Sequence, residues 1–294
     1  MKRFLKVFFT SLICFSLIII GGLFWLSGHS EGGIVNATDI FKIISNDKDQ
    51  RINVLVLGLE HERSDTIMVA SYNSKTKTAD IISIPRDTYI ERDGFVNSGN
   101  NKINSVYTVK GIEGLSEIIL NITGLKIDKF VTIDYDGVRA AVDAVDGVEV
   151  DVPFHMRYTD PYSDPPLDIN IEPGVQVIKG DRAMEFLRFR KTNYSGYSGY
   201  ADGDLGRIEA QQGFVKAAIK KALSFKLPIV VKEVFPYVNT DFSLTEATSL
   251  AMGSIGLSAE NVNFHTIPGT TQTKNNLSFY ILDRQATKDL IYSI

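Results

Sequence analysis

Cysteine is almost absent from this chain, which has one, Cys14, among its 294 residues. That cysteine lies in an apolar run near the N-terminus, so the rest of the chain contains no disulfide. The part that follows must therefore be stabilised by a hydrophobic core. Roughly 245 residues remain for this purpose, which is long enough to bury such a core within one domain.

An excess of positive charge is also absent, because the chain has 31 Lys and Arg residues against 35 Asp and Glu residues. The formal net charge is −4 at pH 7, and three of the basic residues, Lys2, Arg3 and Lys6, belong to a short N-terminal tail. The remainder is therefore more acidic than the whole chain. A general DNA-binding surface needs a basic stripe, so the charge balance argues against nucleic acid as a partner.

Several catalytic signatures are missing as well. The four histidines, at positions 29, 61, 155 and 265, show no spacing typical of metal ligands, which argues against a zinc site. The chain has no Gly-x-Ser-x-Gly motif, no Walker A motif and no glycine-rich dinucleotide motif. These absences argue against the corresponding hydrolases, nucleotide-triphosphate enzymes and dehydrogenases.

An uncharged and largely apolar run occupies residues 7–26, directly after the basic tail at residues 1–6. About twenty apolar residues span a bilayer as a helix, and basic residues before them keep the N-terminus in the cytoplasm. We therefore expect a retained signal-anchor, a stalk at 27–50 and an extracellular domain at 51–294 of a single-pass cell-membrane protein. A cleaved signal peptide is the competing interpretation, although its apolar core is usually only ~7–15 residues.

Two strand patterns, at 65–72 and 79–85, are separated by a short polar segment and predict a β-hairpin. If the turn is centred between positions 75 and 76, Asp65 lies opposite Arg86. A register slip of one residue would send these side chains to opposite faces. The residues expected to meet at the open end of this hairpin are Arg63, Asp65, Arg86 and Asp87.

The remaining pattern alternates between strands and helices. Further strands are predicted at 51–59, 130–133, 148–152 and 262–267, and helices at 102–122, 138–145, 180–187, 205–225, 229–238 and 244–253. Asp136 is predicted to be a helix N-cap, and the proline-containing segment 158–173 is predicted to be a loop. This alternation is typical of a three-layer α/β/α domain with a central mixed sheet.

A candidate anion site lies in the sequence Phe-Leu-Arg-Phe-Arg at 186–190 and in the helical segment 203–212. In extended backbone, the guanidinium groups of Arg188 and Arg190 leave the chain on the same side. Asp204 is placed as an N-cap, and Arg207 and Gln211 share one face of the helix that follows. A helix N-terminus with forked guanidinium groups suits an anion with several oxygens, such as a phosphate.

Five short motifs in order give the chain a resemblance to a known family. They are Arg-Ser-Asp-Thr at 63–66, Ser-Ile-Pro-Arg-Asp-Thr at 83–88, Lys-Ile-Asn at 102–104, and the two segments at 186–190 and 203–212. With these motifs behind a signal-anchor, the chain resembles the LytR-CpsA-Psr family over residues 52–269.

The resemblance implies an α/β/α enzyme of a Gram-positive type of cell envelope. Such an enzyme takes a glycopolymer, for example wall teichoic acid, from a polyprenyl-pyrophosphate carrier and attaches it to peptidoglycan through a phosphodiester bond, assisted by Mg²⁺. The pyrophosphate-binding arginines of the family correspond to Arg86, Arg188, Arg190 and Arg207, with Gln211 beside the last of them. The conserved aspartate and lysine of its motifs correspond to Asp65 and Lys102.

Two positions depart from the pattern of the family. Glu60 stands where many members have an aspartate near the metal, and either carboxylate can bind Mg²⁺. Ala210 replaces a second arginine that many relatives have in the helix. On this interpretation Asp65 and Glu60 hold Mg²⁺, Arg63 and Asp204 line the phosphate site, and Asp65 or Asp87 orients or deprotonates the acceptor hydroxyl.

Three other functions compete with transfer. A pyrophosphate hydrolase would use the same phosphate site with water as acceptor, a membrane-bound transcriptional attenuator would signal through the short tail, and a lipid-binding protein would not turn over. Another alternative concerns the apolar side chains around the arginines, which include Val138, Leu187, Phe189 and Phe214. They form either an ordinary core or a groove for the prenyl tail.

Overall fold

The computed structural model describes residues 51–60, 63–96, 98–163, 166–201, 204–223 and 227–294. For Glu60, Arg63, Asp204, Leu205, Ile208 and Glu209 it describes the backbone only. The predicted tail, signal-anchor and stalk, at 1–6, 7–26 and 27–50, lie outside these residues. Among the helices of the described ranges, none combines the length and apolar character that a bilayer span requires.

The helices and strands alternate along the chain as predicted. In order they are β1 Arg51–Glu60, β2 Arg63–Asn73, β3 Thr78–Ser83, α1 Asn104–Thr123, β4 Lys129–Ile133, α2 Tyr135–Ala144, β5 Val148–Val152, β6 Met156–Asp160, β7 Leu167–Ile171, β8 Gly174–Ile178, α3 Asp181–Arg188, α4 Asp204–Ala222, α5 Leu227–Val234, β9 Val238–Thr240, α6 Leu244–Gly253, β10 Val262–Thr266, β11 Gly269–Lys274, β12 Leu277–Leu282 and α7 Arg284–Ser293.

A six-stranded mixed sheet forms the centre of the domain, in the order β10-β3-β2-β1-β4-β9. β4 runs parallel to β1 and β10 runs parallel to β3, whereas β2 is antiparallel to both of its neighbours. β1, β3, β4 and β10 therefore point in one direction. The predicted α/β class with a central mixed sheet is confirmed.

Helices cover both faces of this sheet. On one face, Leu55 and Val69 are buried in the same cluster as Leu115 and Ile119 of α1. On the other face, the hydroxyl of Tyr72 donates a hydrogen bond of 3.0 Å to the carbonyl of Gly253 at the end of α6. Strands buried on both faces read as nearly continuous apolar runs, which is why β1 is so rich in valine and leucine.

The predicted hairpin register is confirmed. Asn73 pairs with Thr78, and Met68 pairs with Ser83. The amide of Ile84 donates to the carbonyl of Ile67 at 2.9 Å, so the pairing extends past the end of β3. The same register carries the chain to Asp65 on one side and Arg86 on the other.

The predicted loop at 158–173 is wrong. β6 and β7 form an antiparallel hairpin within it, and Met156, Ile169 and Ile171 are fully buried. The sequence of β7 alternates Leu, Asp, Ile, Asn and Ile, so one face is apolar and the other polar. Such alternation is the mark of a half-buried strand, and Pro161 and Pro166 lie between the two strands.

The predicted cap of α2 is also wrong, by two residues. The carboxylate of Asp134, not that of Asp136, accepts a hydrogen bond of 2.9 Å from the amide of Gly137. Asp136 lies in the first turn of the helix. An acidic residue is favourable in both places, so composition alone did not distinguish them.

A second buried cluster lies away from the central sheet, among β5 to β8 and the helices α2 to α5. Phe189 and Phe214 are buried within it, and Val138 and Leu187 pack against it. In this structure the four side chains are part of a hydrophobic core. They also support the segment that carries the predicted arginines.

Candidate active site

Several of the predicted site residues lie at one edge of the central sheet. The carboxyl ends of β1, β3, β4 and β10 share this edge because the four strands run in the same direction. Arg86 follows the end of β3, and Asp65 lies near the start of β2, beside the end of β1. Ligands of open α/β sheets bind where parallel strands end, so this is the edge at which a ligand is expected.

A β-bulge sets the position of Asp65. Gly58 pairs with Thr66, whereas the next residue of β1, Leu59, pairs with Ser64, which leaves Asp65 as an extra residue in β2. Bulges are common beside active sites, where they re-aim a side chain. A Cβ atom on Gly58 would lie 3.0 Å from the Cβ of Thr66, so a side chain at this position would crowd Thr66 on the neighbouring strand.

Asp65 and Arg86 form the ion pair that the hairpin register predicts. Nη1 of Arg86 donates to Oδ1 of Asp65 at 2.8 Å, and their side chains are 41% and 27% exposed. The pair is therefore accessible from solvent at the edge of the sheet. Its carboxylate and guanidinium are both within reach of a ligand.

A second ion pair lies next to the first in sequence. Nζ of Lys102 is 2.9 Å from Oδ1 of Asp87 and 5.7 Å from the ring centroid of Phe279. The backbone holds the two motifs together, because the amide of Asn104 donates to the carbonyl of Arg86 at 3.2 Å. The Lys-Ile-Asn motif is thus docked on the segment that carries Arg86 and Asp87.

Sequence reasoning missed the strand that supports this segment. In β12, the carbonyl of Tyr280 accepts from the amide of Tyr89 at 2.8 Å, and its amide donates to the carbonyl of Asp87 at 2.9 Å. The β11–β12 hairpin could have been found from its turn, Asn275 and Asn276, which both have positive φ. Two successive asparagine or glycine residues with positive φ are typical of tight type I′ turns.

Arg188 is positioned by the end of α3. It is the last residue of that helix, so the expected extended backbone begins only at Phe189, whose φ is −63° and ψ 127°. The guanidinium carbon of Arg188 lies 5.0 Å from the ring centroid of Tyr135. Tyr135 is the first residue of α2, two positions after the end of β4. Arg188 is thereby brought to the edge that carries Asp65 and Arg86.

Aromatic packing connects Arg188 and Arg190 with the region of Arg207. The fully buried Phe189 lies between the first two arginines, and its ring centroid is 6.0 Å from that of Tyr200. Burial raises the pKa of Tyr200 to about 12, and the charge of Arg207 acts in the opposite direction. Arg207 is therefore close enough to Tyr200 to act on its pKa, and Tyr200 packs against the phenylalanine that separates Arg188 from Arg190 in the chain.

Alkaline pH is expected to weaken the packing around Tyr200. Because its folded pKa is raised from 10.0 to about 12, the stability that it contributes is complete below pH 10 and is lost as the pH rises through 12. Urea unfolding across this interval should therefore show a smaller loss of stability for Tyr200→Phe than for the parent chain. Tyr237→Phe, at an exposed position, is the control, and equal pH dependence in all three proteins would contradict the expectation.

Gln211, which is predicted beside the phosphate-binding arginines, makes a hydrogen bond within the protein. Its side-chain amide donates to the carbonyl of Leu187 at 2.7 Å, which ties α4 to the last turn of α3. The neighbouring Gln212 donates to the hydroxyl of Thr266, at the end of β10, at 3.4 Å. These contacts hold α4 at the same edge of the sheet.

The side chains of Glu60, Arg63 and Asp204 lie outside the described part of the structure, although the backbones of Glu60 and Arg63 pair with each other beside the bulge. α4 begins at Asp204.

Within the described ranges, no group of three His, Cys, Asp or Glu side chains is arranged to hold a metal ion. Asp65 nevertheless fits Mg²⁺, because that ion is usually bound by one or two carboxylates together with substrate phosphates and water.

Comparison with known proteins decides the family. The model described as the LytR_cpsA_psr family matches residues 29–293. The chain belongs to the LytR-CpsA-Psr family. The match includes all five motifs on which the resemblance was based. Those motifs contain Asp65, Arg86, Lys102 and the three arginines at positions 188, 190 and 207.

Individual members of the LytR-CpsA-Psr family agree with this assignment. The polyisoprenyl-teichoic acid–peptidoglycan teichoic acid transferase TagV of Bacillus subtilis (strain 168) is 26% identical over 263 residues, which cover 86% of this chain and 65% of TagV. TagU of Oceanobacillus iheyensis, with the same activity in its name, is 27% identical over 92% of this chain and 87% of TagU. The crystal structure of B. subtilis TagV has a TM-score of 0.67, with 84% of this chain and 96% of that chain covered.

Proposed function

We propose that this chain transfers an anionic glycopolymer, of the wall teichoic acid type, from a polyprenyl-pyrophosphate carrier to peptidoglycan. The observations that support the proposal are the Asp65–Arg86 ion pair and the contact of Arg188 with Tyr135, which lie near the carboxyl ends of β1, β3 and β4, three strands that run in the same direction. A site with several guanidinium groups and an adjacent carboxylate suits a pyrophosphate and an acceptor hydroxyl. The names of the related transferases TagV and TagU support the same reaction.

In this reaction an acceptor hydroxyl oxygen forms a bond to the phosphorus that bears the sugar. The bond from that phosphorus to the bridging oxygen breaks, and the oxygen leaves with the prenyl phosphate. Arg86, Arg188, Arg190 and Arg207 would hold the phosphates and stabilise the charge that develops on the bridging oxygen, which is the main source of catalysis in phosphoryl transfer. Arg63 and Lys102 add positive charge beside them.

The acceptor hydroxyl must also be oriented and lose its proton. Asp65 and Asp87 are the two carboxylates at the edge for this task, and each is held by a cation, Arg86 or Lys102. Mg²⁺ bound by Asp65 and Glu60 would supply further positive charge to the phosphate oxygens. Asp204, at the start of α4, would hold the helix end that faces the phosphates.

The location follows from the reaction. Both the lipid carrier and peptidoglycan are reached at the outer surface of the cell membrane. We therefore propose that residues 7–26 anchor the chain in that membrane, with residues 1–6 in the cytoplasm and the domain at 51–294 outside.

Transfer can be tested against hydrolysis, the strongest competing reaction, since both would use the same phosphate site. The full-length protein is incubated with a prenyl-pyrophosphate glycan, with and without peptidoglycan fragments, and the products are separated by mass. Transfer predicts a glycan–peptidoglycan adduct that appears only with the acceptor and that EDTA diminishes. Release of sugar phosphate as the only product, at the same rate in both reactions, would establish a hydrolase instead.

Arg188→Lys is expected to lower kcat/KM for transfer by about 10–100-fold. Lysine keeps the positive charge but cannot offer two parallel hydrogen bonds, and one hydrogen bond to a charged group contributes roughly 1.5–3 kcal/mol. Arg182→Lys is the matched control, because Arg182 lies exposed on the same helix. Full activity of Arg188→Lys would show that the forked geometry of this guanidinium is not used.

A further inference from the structure

One face of the β6–β7 hairpin lies away from the core and carries polar side chains. Met156 and Ile169 are fully buried on the inner face. On the outer face, Arg157 pairs with Asn170 and Thr159 pairs with Asp168 in the strand register. This outer face is not used by the reaction described above.

Two tyrosine rings from the segment that follows Arg190 lie on that face. The side chain of Asn193 accepts from the amide of Thr159 at 3.2 Å and donates to its carbonyl at 2.7 Å, much as a neighbouring strand would. The hydroxyl groups of Tyr194 and Thr159 are 2.8 Å apart. The ring centroid of Tyr197 is 6.1 Å from that of Tyr194. We call Tyr194, Tyr197 and the outer side chains of β6 and β7 the tyrosine face.

Charged and ring contacts hold the two tyrosines in place. The guanidinium carbon of Arg157 lies 4.7 Å from the ring centroid of Tyr194, and Arg157 is itself paired with Asp168. The ring of His155 meets that of Tyr197 edge to face, with 4.9 Å between centroids. Tyr194 and Tyr197 nevertheless remain 38% and 40% exposed. They are thus held in position and open to solvent at the same time.

The chemistry of the tyrosine face suits a carbohydrate. A pyranose has an apolar face of C–H groups, which can pack on an aromatic ring, and a rim of hydroxyl and acetamido groups that need hydrogen-bond partners. Tyrosine is suited to such a surface because its ring is apolar and its hydroxyl is polar. Asp168 and Asn170 stand beside the rings as acceptors and donors. The hydrogen bond from Arg157 lowers the pKa of Asp168, so its carboxylate stays ionised.

The charge of the hairpin favours an uncharged glycan over an anionic polymer. On the outer face the carboxylate of Asp168 is paired with the guanidinium of Arg157, so this pair adds no net positive charge. A polymer with a phosphate in each repeat would gain little electrostatic attraction from it. The glycan strand of peptidoglycan, built from N-acetylated sugars, has no such charge along its backbone.

The position of the face also suits an acceptor. Tyr194 is four residues after Arg190, and four extended residues span at most about 14 Å. The same segment packs Tyr200 against Phe189, between Arg188 and Arg190. A glycan on the tyrosine face would therefore run toward the arginines of the phosphate site.

We propose that the tyrosine face binds the glycan strand of the peptidoglycan acceptor and presents it to the phosphate site. This inference rests on the proposed transfer to peptidoglycan, since it names the subsite for the acceptor of that reaction. Tyr194 and Tyr197 act in it as binding residues for acceptor sugars.

Direct binding tests the inference independently of catalysis. The full-length protein in detergent is titrated calorimetrically with a hexamer of N-acetylglucosamine, with peptide-free peptidoglycan strands whose lactyl carboxyl groups have been amidated, and with poly(glycerol phosphate). The double variant Tyr194→Ala/Tyr197→Ala is expected to bind the first two probes at least about tenfold more weakly, because two ring contacts are lost. Tyr197→Phe, which keeps the ring, should bind nearly as the parent chain does. Tyr292→Ala is the matched control, since Tyr292 is 89% exposed on α7.

The transfer assay separates the two proposals. The double variant should raise KM for the peptidoglycan acceptor, with KM for the lipid donor unchanged and the thermal melting temperature close to that of the parent chain.

If the parent chain transfers normally but the double variant binds glycan as tightly as the parent chain does, the tyrosine face does not bind the acceptor, whereas the proposed function stands. If poly(glycerol phosphate) binds to the same rings in preference to the neutral strands, the assignment to the acceptor is overturned. If the chain performs only hydrolysis but loses glycan binding in the double variant, the tyrosine face is a glycan-binding surface and the proposed transfer function is wrong.

Discussion

Replacement of Arg86 by alanine is expected to reduce the rate of glycopolymer transfer by roughly 10²–10³-fold, the size of effect seen when one donor to a developing negative charge is removed. Arg86 is placed for this role by the register of the β2–β3 hairpin and pairs with Asp65 at 2.8 Å. The variant loses a cation from the phosphate site and also removes the hydrogen bond between Arg86 and Asp65. Both losses act on the same step, so kcat should fall more than KM rises.

Stability provides the check on this interpretation. Since both side chains of the pair are partly exposed to solvent, their interaction should contribute only about 0–1 kcal/mol to folding. Arg86→Ala should therefore melt close to the parent chain while its transfer activity collapses. Arg284→Ala removes an arginine from an exposed position at the start of α7 and should change neither property. Retention of more than about a tenth of the activity by Arg86→Ala would place the phosphate site elsewhere.

Phe189→Ala is expected to cost about 3–5 kcal/mol in the free energy of unfolding, as for other large aromatic side chains removed from a core. Phe189 is fully buried and packs against Phe154 and Tyr200. It also separates Arg188 from Arg190, so a cavity at this point should let both guanidinium groups move. Activity should consequently fall even at temperatures at which the variant remains folded.

Urea unfolding followed by circular dichroism measures the stability of Phe189→Ala, and the transfer assay measures the activity of the folded fraction. Phe189→Leu leaves a smaller cavity than Phe189→Ala. Its stability and its transfer activity should therefore lie between those of the parent chain and those of Phe189→Ala. Phe95→Ala, at a position where the side chain is 38% exposed, is the control of matched chemistry and should cost under about 1 kcal/mol. A Phe189→Ala protein as stable as Phe95→Ala would contradict the burial on which this expectation depends.

The parts of the fold that depend on local pattern were predictable. The continuous apolar run of β1, the helical period of α1 and the capped start of α6 all follow from spacings within a few residues. The hairpin register was also predictable, because a short turn leaves few ways to pair two strands that each have a buried face. The meeting of Asp65 and Arg86 followed directly from that register.

The errors arose where one pattern had two physical interpretations. The prolines and acidic residues of segment 158–173 predict a loop, although the alternation around Ile169 is typical of a half-buried strand. Asp134 and Asp136 are both acceptable near a helix start, and only the backbone geometry distinguishes the cap from the first turn.

The sequence by itself determined the α/β class, the hairpin that joins Asp65 to Arg86 and the family to which the chain belongs, because each depends on short spacings or on ordered motifs. Only the tertiary structure decided that Arg188 stands on the ring of Tyr135 at the edge of the same sheet. It also decided that β12 supports the segment of Arg86 and Asp87, and that Tyr194 and Tyr197 lie on the outer face of β6 and β7. These contacts join residues far apart in the chain, and their geometry depends on how the strands are ordered and how the helices pack, which no local spacing encodes.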